Sequence, residues 1–413
     1  QRGSLWRLPK TLRGIAKASP LGRGGSALVL TERAGDPNDR SITMKKKLIA
    51  LLAAVAMVFS LAACGSTPDS VGTIGTVDIT SGLYLLAQYD AYQKAADLAT
   101  SEQDATDVKA FLKQTITVDA DSGETATVSD YVSQKTMENL ETYAAIETRF
   151  EELGGQLTAE EEAQADSYAS QLMEQYGDTY KANGIGLNTV QRFERILIKS
   201  SDLLELVYGV DGETPVSDAD LTSHLENNMY ELAYYTIPLY NTSTYASADD
   251  DQITQMLALT QAAVDQTNAA AAADSSTLLG YFSGVVTSAL PEVYAVLGST
   301  YSSDSTAPSL ELIGDSTVTS AFTAEGSADT IRGLSIGQAA AVKYNSYALM
   351  AALRLDPLSL KALDDLRGQV LNDMKGEELS EALTAYGASL EHNLSSSAMN
   401  RMPASKIVNS STN

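Results

Sequence analysis

Between Met137 and Val207 the apolar side chains recur at three- and four-residue steps, and that period commits the stretch to amphipathic helices. One stripe runs Met137, Leu140, Tyr143, Ala144, Phe150 and Leu153 and stops at Gly154-Gly155. A second opens at Thr158-Ala159-Glu160-Glu161, a capping-box signature, and carries Ala165, Tyr168, Ala169, Leu172, Met173 and Tyr176 on one face. A third follows Asn183-Gly184-Ile185-Gly186. It turns Phe193, Ile196, Leu197, Leu203, Leu204 and Val207 one way and Arg192, Arg195 and Lys199 the other. Such stripes are core faces first, and a groove for a client chain is the rarer use.

Around this block the pattern changes twice. Ser81 opens a helical run through Leu83, Leu86, Ala87 and Tyr89, and Ser217-Asp218-Ala219-Asp220 starts a short helix ending near Asn227. Asp119–Glu124 reads as a tight turn, since its Gly falls one place too early for an EF-hand loop and the closing Glu is missing. At Glu231 the period shifts. Leu232–Leu239 is aromatic and β-branched and predicts a strand. Residues 249–273 predict an Ala/Gln-rich helix and 299–309 a loop. Leu334–Gln338 predicts a turn between two strands, the second being Tyr347–Leu353. After Pro357 helical spacing returns from Leu360 to Leu390. The expected class is α+β, mainly helical.

The chemistry is bounded by what is scarce. With 53 Asp/Glu against 28 Lys/Arg, the formal charge of −25 argues against a nucleic-acid partner, which needs clustered cations. A single cysteine excludes an internal disulfide and a Cys-rich metal site. Only His224 and His392 are present, far apart, so no His-based metal centre or triad is expected, and no cofactor. No Gly-x-Ser-x-Gly elbow or phosphate loop appears. The lone Trp6 precedes everything else of interest, which speaks against a sugar-binding platform.

Met44-Lys45-Lys46-Lys47 is followed by an apolar run from Leu48 to Phe59, too short to span a bilayer and right for a secretory signal. The run ends in Leu61-Ala62-Ala63-Cys64-Gly65-Ser66, which resembles the bacterial lipobox. Cys64 is thus the expected lipidation site. Residues 1–43 are read as upstream translation from a misplaced start, 44–63 as a lipoprotein signal peptide and 64–75 as a lipid-anchored tether. Eleven Lys/Arg and three Asp/Glu precede Cys64, leaving 17 and 50, a formal −33, on the remainder. That surface has no basic patch for anionic lipid, so membrane attachment would rest on the N-terminal lipid.

Three local matches follow one another in order. Gly184-Ile185-Gly186 precedes a long helix, then Tyr208-Gly209-Val210-Asp211-Gly212, then Val216–Leu221. Thr236-Ile237-Pro238-Leu239 resembles the first parvulin strand, His-Ile-Leu-Val in active members. Gly333–Gln338 with Tyr347-Ala348-Leu349-Met350 resembles the closing turn and strand, often Gly-Tyr-His-Ile. Together these resemble the PrsA/SurA group of extracytoplasmic foldases over roughly residues 76–405. The resemblance implies a mainly helical chaperone lobe built from both chain ends, with an inserted parvulin-like domain. The expected parts are an N-terminal helical chaperone region over 76–228, the parvulin-like domain over 229–356 and a C-terminal helical region over 357–413 packing on the first.

The resemblance also implies two facing histidines, and here Thr236 and Ala348 stand at those positions, so no catalytic residue is assigned. Tyr234, Tyr235, Tyr281 and Phe282 are either ordinary packing residues or the lining of a cleft for extended peptide. The expected function is a foldase or chaperone, lipid-anchored on the extracytoplasmic face of a bacterial cell membrane. It would bind unfolded secreted polypeptides, with prolyl isomerase activity absent or weak. Two alternatives stay open: an active peptidyl-prolyl cis-trans isomerase, and a solute-binding lipoprotein of a transporter.

Overall fold

The computed structural model describes residues 67–409 apart from 101–102, 121, 271–273 and 303–306. Cys64 and the signal segment lie outside the described residues. The fold is α+β and mainly helical, with three small antiparallel sheets. Two compact units divide the described chain: residues 67–199 with 383–409, and residues 200–382.

The first unit opens with a hairpin, β1 (Ser70–Ile74) and β2 (Val77–Thr80), followed by α1 (Ser81–Asp97) and α2 (Val108–Phe111). A second hairpin, β3 (Thr115–Asp119) and β4 (Glu124–Thr127), leads into α3 (Val128–Glu152) and α4 (Ala159–Ala182). Helix α5 (Leu187–Tyr208) contains the boundary between the units. The helix starts follow sequence rules. Thr80 and Thr127 cap α1 and α3 through their hydroxyls, and Thr158 with Glu161 forms the reciprocal box at α4. Leu83, Leu86 and Ala87 of α1 and Leu140 and Ala144 of α3 are buried, and tyrosines fill the gaps: Tyr89 meets Tyr180 edge-on at 6.1 Å and Tyr143 meets Phe193 at 5.5 Å. Arg192 forks onto Glu147 of α3 at 2.8 and 3.2 Å and donates to the Asp78 carbonyl at 2.8 Å.

The other chain end completes this unit. Helix α11 (Leu363–Ser389), which holds the second boundary, is followed by β9 (His392–Leu394) and α12 (Ser396–Met399). Strand β1 is central in the sheet β2-β1-β9. Asn183 pairs with the backbone of Val408 through both amide atoms, at 2.8 and 2.9 Å, as a strand neighbour would.

Two sequence expectations are corrected here. Ser70–Ile74 is not a tether but a paired strand with Val71 and Ile74 buried, because β9 supplies a partner over 300 residues away in sequence. His392 is not on the last helix but in β9, opposite Ile74.

The second unit contains α6 (Asp218–Asn228), β5 (Met229–Pro238), α7 (Asp250–Ala269), α8 (Ser275–Ala295), β6 (Ser309–Gly314), α9 (Asp315–Ala321), α10 (Ser327–Gly333), β7 (Ala339–Lys343) and β8 (Ala348–Leu355). Its sheet has the order β6-β5-β8-β7, every neighbour antiparallel. Helices α7 and α8 cover one face with Met256, Val264, Leu278, Phe282, Val286, Leu290 and Val293. Val318 of α9, Phe322 and Ile331 of α10 cover the other. Leu334–Gln338 is a turn, but it joins α10 to β7 rather than two strands. Leu279–Phe282 belongs to α8.

Candidate functional site

Strand β5 runs inside the four-stranded sheet, so its side chains alternate between two covered faces. Tyr235 joins Ala233 and Ile237 on the α7/α8 side, and Tyr234 joins Tyr230 and Leu232 on the α9/α10 side. The four candidate cleft residues therefore do not form one surface. Tyr234 is 2% exposed and Tyr235 9%, while Phe282 is fully buried against Tyr235 with ring centroids 5.9 Å apart. Tyr281, beside Phe282 in α8, is 45% exposed. Tyr234 Oη donates to Glu311 Oε2 at 3.0 Å, and Tyr235 Oη shares a 2.8 Å bond with Ser283 Oγ. Burial raises the Tyr235 phenol pKa, with the Ser283 bond acting against it. Both are core tyrosines whose polar ends have found partners.

Thr236 and Ala348 share the α9/α10 face but not a rung of the ladder. Thr236 lies opposite Met350, and Ala348 opposite Pro238. Thr236 is exposed, whereas Ala348 and Met350 are buried. Around Ala348 and Met350 the face is closed by Val318, Phe322, Ile331, Val342 and Tyr344. Phe322 packs edge-on to Tyr344 at 5.1 Å, and burial, then Glu311, pushes the Tyr344 phenol up to about 12. It stays protonated at neutral pH.

The two imidazoles lie elsewhere. His224 on α6 sits 2.8 Å from Asp373 Oδ2 on α11, and His392 in β9 sits 3.6 Å from Glu141 Oε1 on α3. Burial raises the Glu141 carboxyl pKa, and the nearby His392 opposes that shift. Both histidines serve contacts between elements. The sheet offers apolar area and hydroxyl groups, without the paired imidazoles that the resemblance implies.

Sequence reasoning missed the end of the sheet where β5 leaves it. The rings of Tyr240 and Tyr245 stack, centroids 6.2 Å apart and planes 20° from parallel. Tyr347 precedes β8 by one residue, so its ring stands at the turn instead of in the ladder, and its carbonyl accepts from Leu239 N–H at 2.7 Å. Leu310 and Ile336 are also exposed on this unit. The signal was present in Tyr240-Asn241-Thr242-Ser243-Thr244-Tyr245, where an aromatic residue ends a polar turn with no partner stripe.

Among the described residues no group of three or more His, Cys, Asp or Glu is placed to hold a metal ion, and no helix is long and apolar enough to cross a membrane.

No protein-family model matches the chain, and no curated protein matches it in sequence. Among solved structures it is similar to the foldase protein PrsA from Streptococcus pneumoniae, at 10% identity and a TM-score of 0.34, over 68% of this chain and 97% of that one. No residue role is carried across on that likeness.

Proposed function

We propose that the chain is a lipid-anchored extracytoplasmic chaperone that holds unfolded exported polypeptides, with prolyl isomerase activity absent or weak. The observation that carries this reading is the contrast on one sheet. The positions expected to hold histidines are an exposed Thr236 and an Ala348 buried among core side chains, while Tyr245, Tyr347, Leu310 and Ile336 stand exposed on the same unit. Exposed large apolar side chains on this unit suit transient contact with other chains. The unit assembled from both chain ends is the arrangement expected of a chaperone lobe with an insertion, and it supports the same reading.

Barriers to prolyl rotation fall only inside a preorganised surround, and a filled apolar face without imidazoles does not supply one. Anchoring through Cys64 would leave the formal −33 of the remaining chain facing outward and keep loaded complexes apart. The test pairs two assays on the chain from Cys64 onward. Light scattering should show suppressed aggregation of a chemically denatured secreted protein, and a chromogenic prolyl peptide should isomerise near its uncatalysed rate. Failure to suppress aggregation would remove the chaperone reading.

A further inference from the structure

The loop joining β5 to α7 is built to hold one ring outward. Tyr245 has φ +58°, the only non-glycine residue with positive φ among the described residues. A bulky side chain in that region is a genuine outlier, and such conformations persist only where the surroundings dictate them. Here they do. Asn241 Oδ1 accepts from Ser243 N and Thr244 N at 2.9 Å, and its amide donates to the Leu297 carbonyl at 2.6 Å. Tyr245 N donates to the Asn241 carbonyl and Asn241 N to the Ala246 carbonyl, both at 2.8 Å. Ala248 N closes onto the Leu239 carbonyl at 2.8 Å, and Thr242 N onto Ser299 Oγ at 3.1 Å. The result is a Tyr245 ring 77% exposed and stacked on Tyr240, while Tyr347, 73% exposed, is tied to the residue before Tyr240 by the Leu239 N–H to Tyr347 carbonyl bond.

The charge around these rings is mostly negative, with Lys343, opposite Leu349 in the β7–β8 ladder, a nearby cation. Asp249, Asp250 and Asp251 follow the loop and are exposed. From residue 200 to residue 331 the sequence holds 19 Asp/Glu and not one Lys or Arg. Aromatic faces attract cations, and carboxylates beside them add to that attraction. We propose that Tyr240, Tyr245 and Tyr347, with Asp249, Asp250 and Asp251, form a docking rim for Lys- or Arg-bearing extended segments of unfolded polypeptides. This rests on the chaperone reading and names the client chemistry that reading leaves open. A basic side chain would lie against the exposed ring faces with its head toward the aspartates. The clamped loop means little ordering is left to do on binding.

The probe is a labelled unstructured peptide of Lys, Ser and Leu, followed by fluorescence anisotropy with the full chain. Binding is expected to weaken about tenfold for Tyr245→Gly and again for Tyr347→Ala, with salt weakening it further. Glycine suits the positive φ at 245, so that variant keeps the loop, which a thermal melt checks. Asp250→Asn with Asp251→Asn should weaken binding and flatten its salt dependence, while Asp365→Asn, on α11, should not. A peptide with Lys replaced by Glu should not bind. The proposal is overturned if both tyrosine variants bind as the wild type does, or if a Gln-substituted peptide binds equally well. It also falls if the variants change only self-association in sedimentation. Should the variants still suppress aggregation and bind peptide normally, the rim fails and the chaperone reading stands. A wild type that neither binds nor suppresses ends both.

Discussion

Thr236 and Ala348 are diagonal neighbours across the β5–β8 ladder, each facing a partner other than the one motif alignment gives it: Met350 for Thr236 and Pro238 for Ala348. Directly opposed side chains lie about 4.5–5.5 Å apart at Cβ and diagonal ones about 7–8 Å. A pair of imidazoles meant to face each other directly would therefore need positions 236 and 350, or 238 and 348. With no histidine at either, prolyl isomerisation is expected to run at least about a hundredfold slower than in an active parvulin, the scale of a lost preorganised electrostatic contact. A chymotrypsin-coupled prolyl-peptide assay at matched concentration checks this. A rate equal to an active parvulin's would show that the face works without histidine.

The outer edge of β7 is sealed by side chains, and unsealing it should matter. Asn268 of α7 donates to the Ala339 carbonyl at 2.9 Å and accepts from Ala339 N at 2.7 Å, while Gln261, two turns earlier, accepts from Ala341 N at 3.1 Å. Two amides thus stand in for a missing strand. Asn268→Ala leaves a buried backbone donor and acceptor unpaired, at about 1–3 kcal/mol each way. A lowered urea midpoint with unchanged slope, and faster aggregation near it, is the expected result. An unchanged midpoint would mean water replaces the amide without loss.

What the sequence disclosed and what it hid have distinct physical causes. The capping box at Thr158 and Glu161 and the strand read over Leu232–Leu239, found over Met229–Pro238, were legible because their signals are local: an oxygen three residues from its donor, and a β-branched aromatic run. Helix α8 was not. Gly280, Gly284, Val285, Val286, Thr287 and Pro291 all lower helix propensity, and the segment is helical because Leu278, Phe282, Val286, Leu290 and Val293 bury against the sheet. Strand β1 was hidden by its small residues and by a partner at the far end of the chain. Gly72, at φ +121°, has no room for a Cβ, which would meet the Asn393 carbonyl oxygen at 2.1 Å. The site residues divided likewise. Adjacency on β5 disguised that Tyr234 and Tyr235 face opposite ways, and Tyr245 was missed although an aromatic residue ending a polar turn is a local signal.

Gly314 is required by a carboxylate rather than by its own backbone. A Cβ there would sit 1.7 Å from Asp373 Oδ1, the same carboxylate that holds His224. Gly314→Ala should destabilise residues 200–382 by roughly 1–3 kcal/mol, as overpacking does. Adding Asp373→Ala should return part of that loss, since the clashing atoms are gone. A double-mutant cycle by chemical denaturation reads the coupling, and strict additivity would refute the clash.

The proposed lipid anchor makes a separate prediction. Cys64 should carry diacylglycerol in membrane-extracted protein, and Cys64→Ser should leave an unprocessed precursor. Mass spectrometry of the mature N-terminal peptide distinguishes these outcomes. Protein beginning upstream of Met44 with an unmodified Cys64 thiol would refute the anchor, leaving the folded units unaffected.

Glu194 should give the first unit a measurable pH dependence. It lies buried on α5 near Tyr180, whose phenol burial also lifts well above its usual range. Burial raises the Glu194 carboxyl pKa from 4.5 to about 7. An acid whose folded pKa is raised holds its proton more tightly in the folded state. Between about pH 4.5 and pH 7 the native chain therefore binds more protons than the unfolded chain, and stability falls as pH rises. Below that window the buried group is neutral in both states and its penalty is absent. Above it the full penalty applies, about 3 kcal/mol by linkage. Glu194→Gln keeps the shape and removes the charge. It should raise Tm at pH 8, change it little at pH 4, and flatten the profile between. If the variant and the wild type lose stability in parallel across that window, the slope belongs to other carboxyls and Glu194 is hydrated in solution.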